Sequence, residues 1–268
     1  MKDIQYIHGY EREERNRLID QASYWRDLIL HDNHYQAGES LLEIGCGVGA
    51  VLKILTDRFP SLNLTGIDIQ EKQIGFAREY LSSHGHSKID LHIGDARVLP
   101  WANESFDHIY MMWFLEHIKD LKPILFEAHR VLKKNGTITI HEADYSSIQI
   151  YPENKIFDYL RSALCDLFNL NGHASVGRIL GNLLFATGFR EAENKVWPLH
   201  YFAEKNSEQI RVHIKYLSRW IKLVLNQMVD LLEKDSEKLK EGLVFLEAIA
   251  NHPEGSVTQL VYKATARK

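Results

Sequence analysis

Leu18, Ala22, Trp25, Leu28 and Ile29 recur at helical spacing within a polar, charged stretch, residues 1–37. That pattern predicts an N-terminal helical segment ahead of the core. From Ser40 onward, short apolar runs alternate with helical faces. Leu41–Ile44, Leu62–Ile69, Ile89–Ile93 and Phe106–Met112 read as strands, the last as a near-continuous buried run. Between them, Val51 to Phe59 makes a helical face stopped at Pro60, and residues 70–83 carry Ile74, Ala77 and Leu81 on one face. Leu121 to Leu132 predicts a further helix, and Asn135-Gly136 turns the chain into a strand over Thr137–His141. Strands separated by helices imply right-handed crossovers and a mostly parallel sheet, an α/β fold.

After Asp144 the rhythm breaks. Residues 145–175 read as a long connection with helix from about Asn154 to Phe168. Val176–Ala186 reads as a crossover helix, residues 189–203 as a strand and Val257–Ala266 as the last strand. Ile210, Ile214, Leu217, Ile221, Val224, Met228 and Leu231 form an amphipathic stripe, followed by a second helix through Leu239, Leu243, Leu246 and Ile249. A helical insertion at 206–250 between two strands cannot lie inside the sheet, so it is expected to cover one end of it.

Composition narrows the class. Apolar residues make up 45% and charged residues 25%, enough to bury a substantial core. Lys plus Arg is 32 and Asp plus Glu 36, a net charge of −4, which argues against a partner bound through phosphate neutralisation. No nucleic-acid partner is therefore expected. The longest apolar run, Ile109–Leu115, falls far short of the ~20 residues a spanning helix needs. Met1 to Gln5 lacks the apolar stretch of a signal peptide. Cys46 and Cys165, the two cysteines, build neither a disulfide framework nor a Cys-rich zinc site. These features point to the reducing cytoplasm. The oligomeric state is not encoded in any of them.

The chemistry concentrates at strand ends. Glu43-Ile44-Gly45-Cys46-Gly47-Val48-Gly49 closes the first strand. Glycines there let a ligand approach the backbone, and the next helix offers free N–H groups. Asp68 closes the second strand, where an acid accepts both hydroxyls of a ribose. Together they indicate an adenosine-containing cofactor. Gly45-x-Gly47-x-x-Ala50 also satisfies the dinucleotide pattern. Glu43 before the glycines, Gly94-Asp95-Ala96 after the third strand and Phe106-Asp107 opening the fourth point elsewhere.

With these residues the core from about Ser40 to Glu142 resembles the class I S-adenosylmethionine-dependent methyltransferases. The N-terminal stretch Tyr6-Ile7-His8-Gly9-Tyr10, with Arg17-Leu18 and Gln21-Ala22, resembles the quinone-biosynthesis type of small-molecule methyltransferase. The resemblance implies a Rossmann-like sheet of seven strands, order 3-2-1-4-5-7-6, the last antiparallel, with helices on both faces and helical lid insertions. It implies an N-terminal lid segment over 1–37 and a methyltransferase domain over 38–268, with acceptor-side insertions near 145–175 and 206–250. S-adenosyl-L-methionine would be the cofactor and S-adenosyl-L-homocysteine its product. Gly45, Cys46, Gly47 and Gly49 would line its methionine end and ribose, Asp68 would hold the ribose, and Ile69 would pack on the adenine. Asp95 and Ala96 would meet the adenine, Trp113 and Phe114 would border the sulfonium, and Tyr6 and Tyr10 would close the top. Arg17 is either a ligand of the cofactor carboxylate or a solvated helical arginine.

No Asn/Asp-Pro-Pro-Tyr follows the fourth strand, which disfavours amide or base-amino methylation. Met112, Trp113 and Phe114 instead make an apolar wall suited to a small hydrophobic or aromatic acceptor. His117 and His141 fall near the expected site, and either is a candidate general base. Glu142 and Asp144 would bind a metal, orient the acceptor or cap a loop. His31-x-x-His34 and His84-x-His86 do not make a metal site by spacing. Three other functions remain open at this point: a nicotinamide-dependent oxidoreductase, a cofactor-binding protein of the same fold without methyl transfer, and a methyltransferase acting on a protein side chain.

Overall fold

The computed structural model describes residues 12–268. Two helices, α1 (Arg12–Tyr24) and α2 (Arg26–Leu30), precede the sheet. Then β1 (Ser40–Ile44), α3 (Ala50–Arg58), β2 (Asn63–Asp68), α4 (Glu71–Ser83), β3 (Asp90–Ile93) and β4 (Phe106–Met112) alternate. A short 3₁₀ turn, Leu115–His117, leads to α5 (Lys122–Val131). The second half comprises β5 (Leu132–Tyr151), α6 (Lys155–Asn171), α7 (Leu180–Ala186), β6 (Arg190–Phe202), α8 (Ala203–Leu232), α9 (Ser236–Ile249) and β7 (Ser256–Arg267).

The strand order is β3-β2-β1-β4-β5-β7-β6, and β7 runs antiparallel to both neighbours, as the resemblance implies. Leu41, Leu42 and Ile44 of β1 and Ile109, Tyr110 and Met111 of β4 are almost wholly buried, because helices cover both faces. The order reverses between β1 and β4, and a crevice opens there at the carboxyl ends of the strands.

One expectation needs correction. The fifth strand does not stop at His141. β5 runs on to Tyr151, with Gln149, Ile150 and Tyr151 pairing with Thr258, Val257 and Ser256 across a register break after Asp144. The strand is interrupted by the register break around Ser146 and Ser147, beyond which Ile148 and Ile150 pack against helices while Gln149 and Tyr151 are exposed. The connection expected from 145 therefore begins as sheet.

The helices of the second half form a cap with an apolar core of its own. Phe157, Leu160 and Leu164 of α6 pack with Ile214, Leu217, Ile221 and Val224 of α8 and Leu243 and Leu246 of α9. Asn154 and Asp235 cap α6 and α9, each accepting two backbone N–H groups. The α8 stripe also meets the N-terminal helices. Tyr24 stacks on Tyr216 with ring centroids 4.7 Å apart, and its hydroxyl hydrogen-bonds His213 Nδ1 at 2.7 Å. Asp20 pairs with Arg219 across the same contact.

Candidate active site

The turn after β1 is built from backbone that L side chains rarely adopt. Gly45, Gly47 and Gly49 have φ of 76°, 48° and 75°. The three differ in what they face. A Cβ on Gly45 would overlap the Phe114 ring, so this glycine lets β1 and the turn after β4 close on each other. A Cβ on Gly47 would meet nothing within 4 Å, so its face opens on the crevice. Gly49 is the exception to the expected set: it starts α3 and packs against Leu81 and Ala77 of α4, outside the lining of the crevice.

Asp68, at the end of β2, is held by its neighbours. Its Oδ2 accepts the Gly47 N–H at 2.9 Å and its Oδ1 the Gln70 N–H at 2.9 Å. Burial raises its pKa, and these N–H donors oppose the rise. Asp95 faces the same crevice, with Ile69 and Ala96 beside it. Its carboxylate is occupied by Arg97, through the backbone N–H at 2.9 Å and an ion pair at 2.5 Å, and the Arg97 side chain lowers its pKa. Glu43 Oε2 and Gln73 Oε1, both buried at this end, meet no donor among the described residues. Open glycine backbone, a fixed acid and unsatisfied acceptors fit an adenosyl ligand carrying hydroxyl and ammonium donors.

The crevice continues past the glycines as one cavity of about 640 Å³. Trp113 stands where the two ends meet. It has φ of 46°, a conformation that costs a bulky residue roughly 1–3 kcal/mol. Its N–H donates to the His141 carbonyl at 2.9 Å and its ring packs on Trp25 at 5.4 Å. Beyond it the walls are aromatic: Tyr145 from β5, Phe168 from α6, and Tyr216 and Trp220 from α8. α1 closes the near side with Leu18, Gln21 and Arg17. Arg17 is not a solvated helical arginine. It is 6% exposed and bound bidentately by the buried Glu14 at 2.6 and 2.7 Å.

Two carboxyls are buried at the aromatic end. Glu142 Oε1 accepts the N–H groups of Phe114 at 3.0 Å and Leu115 at 2.7 Å, fixing the turn after β4. Glu116, on that turn, lines the cavity and accepts the Tyr145 hydroxyl at 2.8 Å. The two carboxyls interact, and burial raises both, Glu116 to about 7 and Glu142 well above its ordinary value. Like charges in one buried site cannot both ionise cheaply, so the pair keeps a proton near neutrality.

The histidines fare differently. His117 lines the cavity, but burial and Arg17 push it down to about 3, which favours its neutral form. It packs on Phe168 with centroids 5.7 Å apart. His141 lies outside the lining. It is fully buried beside Tyr110, and burial together with Lys263 holds its pKa well below the usual value. The strand alternation explains this: Glu142 points to the turn after β4, so its neighbour points to the other face. Asp144 is bound by Arg178 at 2.6 Å and by Ser146 and Ser175 at 2.7 Å, a structural knot. Among the described residues no three His, Cys, Asp or Glu gather as metal ligands. Tyr6 and Tyr10 lie outside the described residues.

Sequence reasoning passed over Glu116, Tyr145, Phe168, Tyr216 and Trp220. Glu116 sat beside a more conspicuous histidine. Trp220 and Tyr216 flank Leu217 on α8, and their placement depends on how that helix docks.

Comparison with known proteins agrees with this geometry. The model of the methyltransferase domain family matches residues 42–140. Sterol 24-C-methyltransferase ERG6B of Gibberella zeae is 25% identical over 237 residues, covering 80% of this chain and 61% of that protein. Demethylmenaquinone methyltransferase of Shouchella clausii is 26% identical over 144 residues, covering 53% of this chain and 61% of that one. This chain thus spans about three fifths of the length of these relatives. Among solved structures, phosphoethanolamine N-methyltransferase 2 of Haemonchus contortus, in complex with phosphomonomethylethanolamine and S-adenosylhomocysteine, has the same fold. It is 14% identical with a TM-score of 0.59, covering 96% of this chain and 56% of that one. Residues 42–140 thus carry a methyltransferase domain, with the sheet order and the glycine turn facing Asp68 that the resemblance to the class I S-adenosylmethionine-dependent methyltransferases implies.

Proposed function

We propose that this protein transfers a methyl group from S-adenosylmethionine to a small molecule with an apolar or aromatic body. The observation that carries the reading is the single cavity, with a fixed acid and open glycine backbone at one end and aromatic walls at the other. Bound S-adenosylmethionine would supply an activated methyl on a sulfonium, leaving S-adenosylhomocysteine. Asp68 would hold the ribose, Glu43 and Gln73 would accept the cofactor's remaining donors, and Ile69 and Ala96 would flank the adenine. The protein's task is alignment and exclusion of water, for which aromatic walls serve. Tyr and Trp faces also tolerate the sulfonium charge before transfer. α1 and α8, which touch through Tyr24 and Tyr216, act as the lid.

The aromatic walls that β5, α6 and α8 place around this end of the cavity favour a small acceptor over a protein side chain. We place the protein in the cytoplasm, since Cys46 and Cys165 are both unpaired thiols. No helix among the described residues is long and apolar enough to cross a membrane. Calorimetric titration with S-adenosylhomocysteine and with NAD tests the cofactor. Saturable binding of the first and none of the second is expected, and the reverse would make the chain an oxidoreductase. Transfer of labelled methyl into the low-mass fraction of an extract tests the reaction. Binding without transfer would leave a cofactor-binding protein.

A further inference from the structure

The aromatic end of the cavity holds more polarity than an apolar acceptor needs. Glu116 is 3% exposed, lines the chamber, and its Oε2 meets no donor among the described residues. Its surroundings are built rather than incidental. Tyr145 donates to Oε1 at 2.8 Å, Glu142 pins the turn through two N–H groups, and the His173 N–H donates to the Glu116 carbonyl at 2.9 Å. Around this carboxyl stand the rings of Trp113, Tyr145, Phe168, Tyr216 and Trp220. A neutral acceptor gains at most a hydrogen bond from a buried carboxyl, and leaving one of its oxygens without a donor is costly. A cation gains twice, from the carboxylate and from the ring faces.

Building on the methyl-transfer reading, we propose that the acceptor is an amine, seated among these rings with its nitrogen on Glu116, and that Glu116 accepts its proton. An ammonium has no lone pair to receive a methyl. In a dry site, a carboxylate and an ammonium together favour transfer of the proton. The proton passes from nitrogen to a Glu116 oxygen, and the N–H electron pair stays on nitrogen as the lone pair that would form the new N–C bond as the methyl–sulfur bond breaks and its electron pair returns to sulfur. The methylated product is again a cation, which the same rings hold. The titratable groups facing Glu116 are Glu142 and Tyr145 from β5, Arg17 from α1, Tyr216 from α8 and the adjacent His117. Arg17 is already compensated by Glu14, which leaves the carboxyl pair to set the charge of the chamber.

The test is calorimetry on the full chain saturated with S-adenosylhomocysteine, titrated with 2-phenylethylamine and with the isosteric 2-phenylethanol. The amine should bind at least tenfold tighter at pH 8, with its affinity falling toward pH 6 as the carboxyl pair takes up a second proton. Glu116→Gln should bind S-adenosylhomocysteine within twofold of the parent, which reports that it folds, and should lose both the preference and its pH dependence. Equal affinity for amine and alcohol, binding of neither, or a preference that survives in Glu116→Gln would overturn the assignment while leaving methyl transfer standing. Absence of S-adenosylhomocysteine binding by the parent would overturn both.

Discussion

Gly172 lies so close to Glu116 that a Cβ built on it would overlap the Glu116 carbonyl oxygen, and the next residue, His173, donates its N–H to that same oxygen at 2.9 Å. The end of α6 is thereby locked onto the turn that follows β4. The backbone there is extended, so the need for glycine comes from the close approach and not from φ. Gly172→Ala should push the two segments apart, at a cost of about 1–3 kcal/mol. A chain of this size should melt several degrees lower. An unchanged melting temperature would show that the turn yields freely.

Asp68 should matter more to the cofactor than Asp95. Asp68 is held in place by Gly47 and Gln70, whereas Asp95 is shared with Arg97. Loss of a charged hydrogen-bond acceptor costs roughly 1.5–3 kcal/mol. Asp68→Asn should therefore weaken S-adenosylhomocysteine about tenfold or more, and Asp95→Asn less. Calorimetry showing the opposite order would move the ribose away from β2.

The pH dependence of stability should carry the sign of the buried carboxyl. Glu116 has a folded pKa of about 7 against an ordinary value of 4.5. Between those values the unfolded chain binds fewer protons than the folded one, so this group's contribution to stability falls as pH rises and is lowest above 7. Glu116→Gln should then be more stable than the parent at pH 8 by about 1–3 kcal/mol, with the gain shrinking toward pH 4.5. His117, held down to about 3, acts with the opposite slope below its ordinary value of 6.5. Denaturant unfolding of the variant and parent at both pH values separates the two.

The histidine outside the cavity should be dispensable for binding. His141 has no hydrogen-bond partner on either ring nitrogen among the described residues. His141→Phe should leave S-adenosylhomocysteine affinity within about twofold. A tenfold loss in a folded variant would require a path from the Tyr110 side of β5 to the site.

Hydrogen exchange should slow in α1 and α8 when S-adenosylhomocysteine binds, more than in the middle of β5. Both helices lend side chains to the cavity, through Arg17, Leu18, Tyr216 and Trp220, while β5 is already held on both edges. Lids come from the less stable parts of a fold because they must open. Protection confined to the glycine turn would make α8 ordinary core.

The order of elements, the parallel core and the cofactor end were legible in the chain itself. Hydrophobic period separates strand from helix locally, and Gly45, Gly47 and Asp68 carry their chemistry at strand ends that the period locates. The far half of β5 was not legible, because the register break around Ser146 and Ser147 leaves only the short alternation Ile148 to Tyr151, and its pairing with β7 is a long-range contact. Nor was the role of Gly49, which besides its left-handed φ packs against Leu81 and Ala77, about thirty residues away. The acceptor end belongs wholly to tertiary structure. Glu116, Tyr145, Phe168 and Trp220 sit on four separate segments, and no spacing relates them. Their pKa values and pairings arise from burial, which only the docking of the helical cap onto the sheet creates. The histidines too were separated only by the fold: His117 lies on the turn that lines the cavity, while one residue of strand phase puts Glu142 beneath that turn and His141 on the other face, in the core.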